Sequence, residues 1–400
     1  MATPLPRSVK LLGWTSFLTD AASEAIYPLL PVFVTRVLGG SAVSLGIIEG
    51  AADAMSSILK IVAGRASDRS GQRRPFVIAG YTIAWLARPL VALASSWQHV
   101  FAVRLTDRIG KGLRSAPRDA MLGALAPAGQ RGRVFGFHRA MDHAGAVVGP
   151  LAAASFLYWF PGQYRTLFAL TFIPGGLAVL MLLFVPDIRR NSSTDAASAS
   201  QIAAKPIDVP VAPLAPALKR FLIVLTLFTL GNSSDAFLLL RLSDAGLATT
   251  YLPIAWSGLH VVKSGLSTLG GGLSDKFGRT HVIVSGWLLY AVVYAGFAIS
   301  DTLTALLVWF LVYGVYFSLV EGSEKALIAD LTPDDMHGTA FGWYNAVLGF
   351  GSLGASLLFG AIWEAFGSAA AFSTGAALAV TAAALLALNG LDGPPSNRNR

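Results

Sequence analysis

The stretch Gly64-Arg65-Ala66-Ser67-Asp68-Arg69-Ser70-Gly71-Gln72-Arg73-Arg74 decides how the rest of the chain is read. It returns as Gly271-Gly272-Leu273-Ser274-Asp275-Lys276-Phe277-Gly278-Arg279, so each copy reads G-x-x-x-D-[RK]-x-G. Each copy sits between two long apolar segments, and the second follows the first by about half the chain. A polar, basic connection repeated at that interval implies two homologous halves.

Composition supplies the solvent. Hydrophobic residues are 54% of the chain and charged residues only 13%, with a mean hydropathy of +0.60. A soluble domain carries roughly a quarter of its residues as charges, so this chain belongs in lipid. At about 20 residues per span, 400 residues with their loops allow about twelve transmembrane helices. The net charge of +8 is no nucleic-acid signal, because the Lys and Arg residues concentrate in short loops. The absence of cysteine excludes disulfides and thiolate metal sites. Residues 1–10 end in Arg7 and Lys10, no A-x-A cleavage pattern follows, and Asp20 and Glu24 interrupt the apolar run. This start is read as an uncleaved first span.

The expected spans are 11–37, 43–66, 75–95, 99–124, 132–157 and 163–185, then 217–241, 249–274, 279–299, 302–328, 337–362 and 367–390. They give an N-terminal six-helix bundle over 1–186, a linker over 187–216, a C-terminal six-helix bundle over 217–391 and a tail over 392–400. The linker carries Arg189, Arg190 and four prolines (Pro206, Pro210, Pro213, Pro216) and is too polar to span. Alternate loops hold the basic residues (Arg7 and Lys10; Arg69, Arg73 and Arg74; Arg131 and Arg133; Lys219 and Arg220; Lys276 and Arg279; Arg398 and Arg400), whereas the opposite loops hold little beyond Arg36, Arg165 and Arg241. Both termini, the linker and both motif copies are therefore expected in the cytoplasm, with the chain a multi-pass protein of the cell inner (plasma) membrane.

The repeat extends beyond the motif. Gly132, Phe135 and Gly136 open span five as Gly338, Phe341 and Gly342 open span eleven. Arg118-Asp119-Ala120 precedes Pro127 as Glu324-Lys325-Ala326 precedes Pro333, with the charges reversed, and Asp20-Ala21 in span one matches Asp235-Ala236 in span seven. Landmarks held in register support a six-plus-six duplication.

These residues resemble the major facilitator superfamily, whose signature is G-x-x-x-D-[RK]-x-G-[RK] between spans two and three, echoed between spans eight and nine. The resemblance implies an all-α integral membrane protein, with twelve transmembrane helices in two pseudo-symmetric six-helix bundles, and a central cavity lined by spans one, four, seven and ten. Gly145-Ala-Val-Val-Gly149-Pro150 matches the G-x-x-x-G-P of proton-coupled exporters in that superfamily. Span four departs from the exporter pattern: Arg104 is followed four residues later by Arg108 in place of glycine. Asp20-Ala-Ala-Ser-Glu24-Ala-Ile-Tyr27-Pro28 and Asp107-Arg108-Ile-Gly-Lys111-Gly-Leu-Arg114-Ser-Ala-Pro117-Arg118 look like a bacterial subgroup of such permeases.

A charge at bilayer depth costs ~2.5–3.5 kcal/mol on insertion scales, so it faces a cavity or a partner. At 100° per residue, Arg104, Asp107, Arg108, Lys111, Arg114 and Arg118 of span four fall within an arc of about 120°. This stripe reads either as a cationic track for an anionic or zwitterionic substrate or as an ion-pair lattice. The carboxylates Asp20, Glu24, Glu49, Asp53 and Asp142 are numerous enough for the second reading. Span one places Ser16, Asp20, Glu24 and Tyr27 on one face, and span two Glu49, Asp53, Ser56 and Lys60. Removing a carboxylate from water disfavours its charged form, so such groups suit proton coupling, with Asp20 and Glu24 the leading candidates. In span five His138 and Asp142 read as a proton relay or an interhelical hydrogen bond. Gly145 and Gly149 read as a close helix contact and Pro150 as a hinge. The second half offers Asp235 after Asn232, Ser233 and Ser234, then His260, Ser264 and Ser267, and Tyr313, Phe317, Glu321 and Glu324. In the motifs, Gly64, Gly71, Gly271 and Gly278 permit tight turns. Asp68 and Asp275 can sit at a helix N-terminus, and Arg69, Arg73, Lys276 and Arg279, with Arg118 and Glu324 beside them, can form latches present in only one conformer.

The reading is a secondary transporter coupled to protons, export by antiport favoured. The alternatives are uptake of an anionic metabolite or metal chelate by symport and, more remotely, a non-transporting receptor. Its partners are a small-molecule substrate, protons and the lipid bilayer, with no nucleic acid, and the chain is read as a monomer. No cofactor and no metal site is expected. A nucleotide-driven pump is disfavoured because G-x-x-x-x-G-K-[ST] is absent. An enzyme is disfavoured because none of the six histidines forms H-x-x-x-H with another and no G-x-S-x-G occurs.

Overall fold

A computed structural model describes residues 5–126, 131–186, 214–332 and 337–388. The expected linker lies outside the described residues over 187–213, as do Arg189, Arg190, the tail 392–400, Pro127 and Pro333, and the side chains of Asp68 and Asp275. Twelve helical columns follow one another in the described residues. They are α1 (Arg7–Val37), α2 (Ala42–Ser70), α3 (Arg74–Leu93), α4 (Trp97–Leu125), α5 (Arg131–Trp159), α6 (Tyr164–Leu183), α7 (Pro216–Asp244), α8 (Leu252–Phe277), α9 (Arg279–Ile299), α10 (Leu303–Asp330), α11 (His337–Phe366) and α12 (Ser368–Leu388). Ten of them are long and apolar enough to cross a membrane. Helices α4 and α8 fall outside that set. Helix α4 is the charged stripe of the sequence, and α8 carries His260, Lys263 and a Ser/Gly-rich second half.

Several columns are interrupted, and the interruptions follow the sequence. In α1 Pro28 lacks an N–H and the helix tightens over Tyr27–Leu29 before resuming. Helix α7 breaks at Asn232–Ser234. The Ser234 hydroxyl then accepts the Ala236 N–H at 3.3 Å, and Asp235 occupies the first turn of the new segment. A serine cap followed by an acid at a helix N-terminus is the favourable order for both hydrogen bonding and the helix dipole. The motif proves more helical than the expected turn: Gly64 to Ser70 complete α2, and 271–277 complete α8. Only Gly71 (φ 65) and Gly278 (φ 93) take left-handed backbone, which is where glycine is required. Gly64 instead serves packing, since a Cβ there would stand 3.3 Å from Ala116 Cβ of α4.

Within the first half, α1 packs on α5, α2 on α4 and α3 on α4. The second half repeats this with α7 on α11, α8 on α10 and α9 on α10. The halves meet most extensively along two seams, α2 against α11 and α5 against α8, and α1 also touches α7 and α8. Glycines line the first seam from both sides. A Cβ on Gly46 would meet the Ser356 backbone, and one on Gly349 would stand 2.6 Å from Ser57 Cβ. With no hydrophobic drive between helices in lipid, close van der Waals approach is what small residues provide. Helices α1 and α5 use the same device, because Gly145 faces the Phe17 carbonyl and Gly149 the Ala21 backbone.

One consequence is testable. Gly149→Ala forces the α1–α5 backbones apart, and overpacking of this kind costs ~1–3 kcal/mol. At Gly322 in α10 a Cβ would meet nothing within 4 Å among the described residues, so Gly322→Ala should be neutral or mildly stabilising. A thermal melt in detergent should separate the two variants by several degrees. Equal melting temperatures would contradict the packing argument.

Candidate functional site

The stripe of α4 divides into paired and unpaired charge. Arg104 is clamped by α2, its Nη2 donating to both Glu49 carboxylate oxygens at 2.9 Å, with both side chains at least nine-tenths buried. Asp107 accepts from Arg88 Nε at 2.9 Å, and Arg88 Nη1 donates to the Thr19 carbonyl at 3.0 Å. Those two pairs join α1, α2, α3 and α4 and have the form of a structural lattice. Arg114 is buried and its guanidinium lies 4.3 Å from the centroid of the Tyr81 ring. Arg118 donates to Asp119 at 2.9 and 3.0 Å and to the Ser16 hydroxyl at 3.4 Å. Ser16 donates to Asp142, which His138 Nδ1 approaches at 3.5 Å, so a polar chain runs from α4 through α1 to α5.

Arg108 and Lys111 remain. Neither has an ion-pair partner among the described residues, and Lys111 is exposed. The charges bearing on Lys111 are those of Arg108, Lys60 of α2, Asp20 of α1 and Arg114. Lys111 is thus within electrostatic reach of α1 and α2 as well as of its own helix. Asp20 is half-buried with no hydrogen bond or ion pair among the described residues. Two further carboxylates of the first half are held by neutral donors. Glu24 accepts the Trp256 indole N–H at 2.8 Å and Asp53 the Ser352 hydroxyl at 3.2 Å, both across the seams between halves.

The facing wall is aromatic. Asp235 accepts the Tyr313 hydroxyl at 2.7 Å and pairs with Lys263 Nζ at 3.2 Å. Tyr27 of α1 reaches the same region: its ring centroid lies 4.9 Å from that of Trp256, its hydroxyl is 3.4 Å from the Ser234 hydroxyl, and Arg104 sits 5.4 Å from its ring. Glu321 is exposed, bonded to Lys325 at 2.8 Å and 3.9 Å from Arg139. Glu324, by contrast, is buried between two donors, Trp287 Nε1 at 3.1 Å and the Tyr344 hydroxyl at 3.0 Å. Three residues essential to this picture, Arg88, Trp256 and Lys263, were not singled out by sequence reading. Arg88 and Lys263 lie inside expected spans, where any cation is a signal.

Two motif arginines make contacts inside their own halves. Arg73 Nη1 donates to the Ala120 carbonyl at the end of α4 (3.3 Å). Its counterpart Arg279 bonds Asp330 at the end of α10 (3.2 Å) and Ser274 (3.0 Å). Arg69 is exposed, and Lys276 Nζ lies 5.3 Å from the Phe277 ring centroid. At the opposite end of the molecule the halves are tied by Arg36–Asp244 at 3.1 Å and by the Val43 N–H donating to Glu364 at 3.4 Å. Both side chains of the Arg36 pair are exposed, so it contributes at most ~1 kcal/mol. No metal-binding cluster of His, Asp or Glu occurs among the described residues.

Comparison with known proteins places this arrangement. The model of the Major Facilitator Superfamily matches residues 12–267 and 243–400. An MFS-type transporter of Methanocaldococcus jannaschii is 34% identical over 96% of this chain and 94% of its own. The multidrug resistance protein MdtH of Photorhabdus laumondii is 28% identical over 34% of this chain and 33% of its own. Among solved structures, the nucleoside transporter NupG superposes with a TM-score of 0.78 at 15% identity, covering 96% of this chain and all of the other, a likeness of fold.

Proposed function

The chain belongs to the Major Facilitator Superfamily, and on that premise we propose that it is a proton-coupled secondary transporter. It moves a small anionic or zwitterionic organic solute across the inner membrane by alternating access, with export by antiport the favoured direction. The observation that carries this reading is the contrast within α4. Arg104 and Asp107 are consumed by buried partners, whereas Arg108 and Lys111 are left without one beside the unpartnered Asp20. Cations without counter-charge at membrane depth are costly unless an anion visits them. A carboxyl group beside them can exchange charge for a proton as the two walls move. The motif arginines and the opposite-end contacts then set the balance between conformers, with the motif end in the cytoplasm.

Export draws support from the G-x-x-x-G-P of α5 and from the partial likeness to MdtH. Symport of an anionic metabolite or metal chelate is the second reading, supported by Arg108 standing where the exporter pattern has glycine. Reconstituted vesicles holding a pH-sensitive dye separate the two. Members of a panel of organic anions and zwitterions should drive proton movement opposite to their own flux in antiport and along it in symport. Lys111→Ala and Arg108→Ala should each weaken the response at least ~tenfold, equivalent to 1.4 kcal/mol of lost interaction. A panel that moves no protons, or variants that respond as the parent does, would remove the proposal.

A further inference from the structure

Lys263 is a lysine in an unusual seat. Its ammonium nitrogen lies 3.7 Å from the centroid of the Phe317 ring, 5.5 Å from that of Trp256 and 5.7 Å from that of Tyr313. One carboxylate oxygen of Asp235 stands 3.2 Å away. The other Asp235 oxygen accepts the Tyr313 hydroxyl at 2.7 Å, which fixes the carboxylate in place. Three aromatic faces and an oriented carboxylate around one positive nitrogen are the parts of a cation receptor. The negative face of each ring attracts a cation, most strongly where water is excluded. Here Trp256 and Tyr313 are buried, and the Lys263 side chain is 14% exposed.

We propose that Asp235, Trp256, Tyr313 and Phe317 form a binding site for an organic ammonium group, which the chain's own Lys263 fills in this conformation. The substrate class this adds is a primary or quaternary amine. It rests on the proposed transport reading only in joining this site to the cations of α4, which would make the whole solute a zwitterion with its anionic end on Arg108 and Lys111.

The seat is also tied to the seam between halves. The Trp256 indole N–H is held by Glu24 of the first half at 2.8 Å, and its ring lies against Tyr27 of the same half. One wall of the receptor therefore depends on the contact between α1 and α8. Movement of the halves that breaks this contact loosens the grip on the tethered lysine, and a free amine then competes for the vacated position. Lys263 serves on this account as an internal counter-cation that keeps Asp235 neutralised whenever no substrate amine is present. An uncompensated carboxylate among these rings would be strongly unfavourable.

The experiment is cation rescue on purified full-length protein, which needs neither the natural solute nor transport. Lys263→Ala should melt at a lower temperature than the parent, and n-propylammonium or tetramethylammonium chloride should restore a saturable part of the loss. The same additions should change Trp fluorescence in Lys263→Ala, with at least tenfold weaker apparent affinity in the parent, whose site is filled. Asp235→Asn combined with Lys263→Ala should lose the rescue while remaining folded, and sodium chloride at equal ionic strength should give none. Lys263→Ala protein that melts low without any ammonium-specific recovery, or that recovers equally with Asp235→Asn present, would overturn the proposal and leave Lys263 as a structural ion-pair partner only. If rescue succeeds while the vesicles move no protons, the ammonium site stands and the coupling proposal fails; the converse result separates them in the other direction.

Discussion

Arg104→Ala is expected to be the most damaging single substitution in the first half, lowering stability by about 3–5 kcal/mol because it strands a buried carboxylate. Glu49 is 2% exposed and both of its oxygens bond the same guanidinium nitrogen at 2.9 Å. Among the described residues no second cation is bonded to it. The double variant Arg104→Met with Glu49→Leu removes both charges and keeps the volume, and such replacements are frequently neutral or stabilising. Melting temperatures and detergent-extracted yields of the parent, the single and the double variant form the test. A double variant as unstable as Arg104→Ala would show that the cost lies in packing, and a single variant as stable as the parent would show that the pair carries no weight.

The second large effect is on coupling. Asp20 has no hydrogen bond or ion pair among the described residues, and the charges bearing on it are those of Asp142, Lys111, Glu24 and Arg114. Asp20→Asn keeps the shape and removes the titrating group. It is expected to abolish solute movement driven by an imposed pH gradient while leaving exchange of solute across the membrane within a few-fold of the parent. The folded yield should be nearly unchanged, since no partner is lost. Glu24→Gln gives the contrast. Glu24 accepts an indole N–H across the seam, and the amide oxygen can still accept it, so gradient-driven movement should survive in that variant. Vesicles in which Asp20→Asn retains full gradient-driven movement would place the proton site elsewhere.

Much of the architecture was legible because it is written in one dimension. The motif at Gly64–Gly71, its return at Gly271–Gly278 and the apolar spans survive as chain order, and the helix ends follow them closely. The motif's own conformation was less legible. Gly64 reads as a turn residue by type, yet its neighbour Ala116 comes from another helix, and only that contact reveals a packing role. The stripe of α4 was legible as a face but not as a set of fates. Arg104 and Arg108 are one turn apart on the same arc, and what distinguishes them is Glu49 on α2, fifty-five residues away. Arg88 and Lys263 show the opposite case. Each is a lone cation inside an apolar span, and the cost of burying it was a sufficient signal. Their roles needed Asp107, Asp235 and Phe317 brought alongside. Trp256 carries no such mark, because an indole among apolar residues is what any span offers until Glu24 of the other half appears beside it.

The central claim is that the halves enclose a polar space, lined by α4, that opens to one face and then the other. The chain has no cysteine, so Ser115→Cys, one turn along α4 from Lys111 and outside the proposed site, gives one reporting thiol. The measurement is its labelling rate by a membrane-impermeant maleimide applied to each face of oriented vesicles, with and without a pH gradient. The account expects labelling from the face carrying the motif loops, slowed by the gradient as labelling from the other face rises. A thiol that only lipid-soluble reagents reach, or that neither face reaches under either condition, would contradict it.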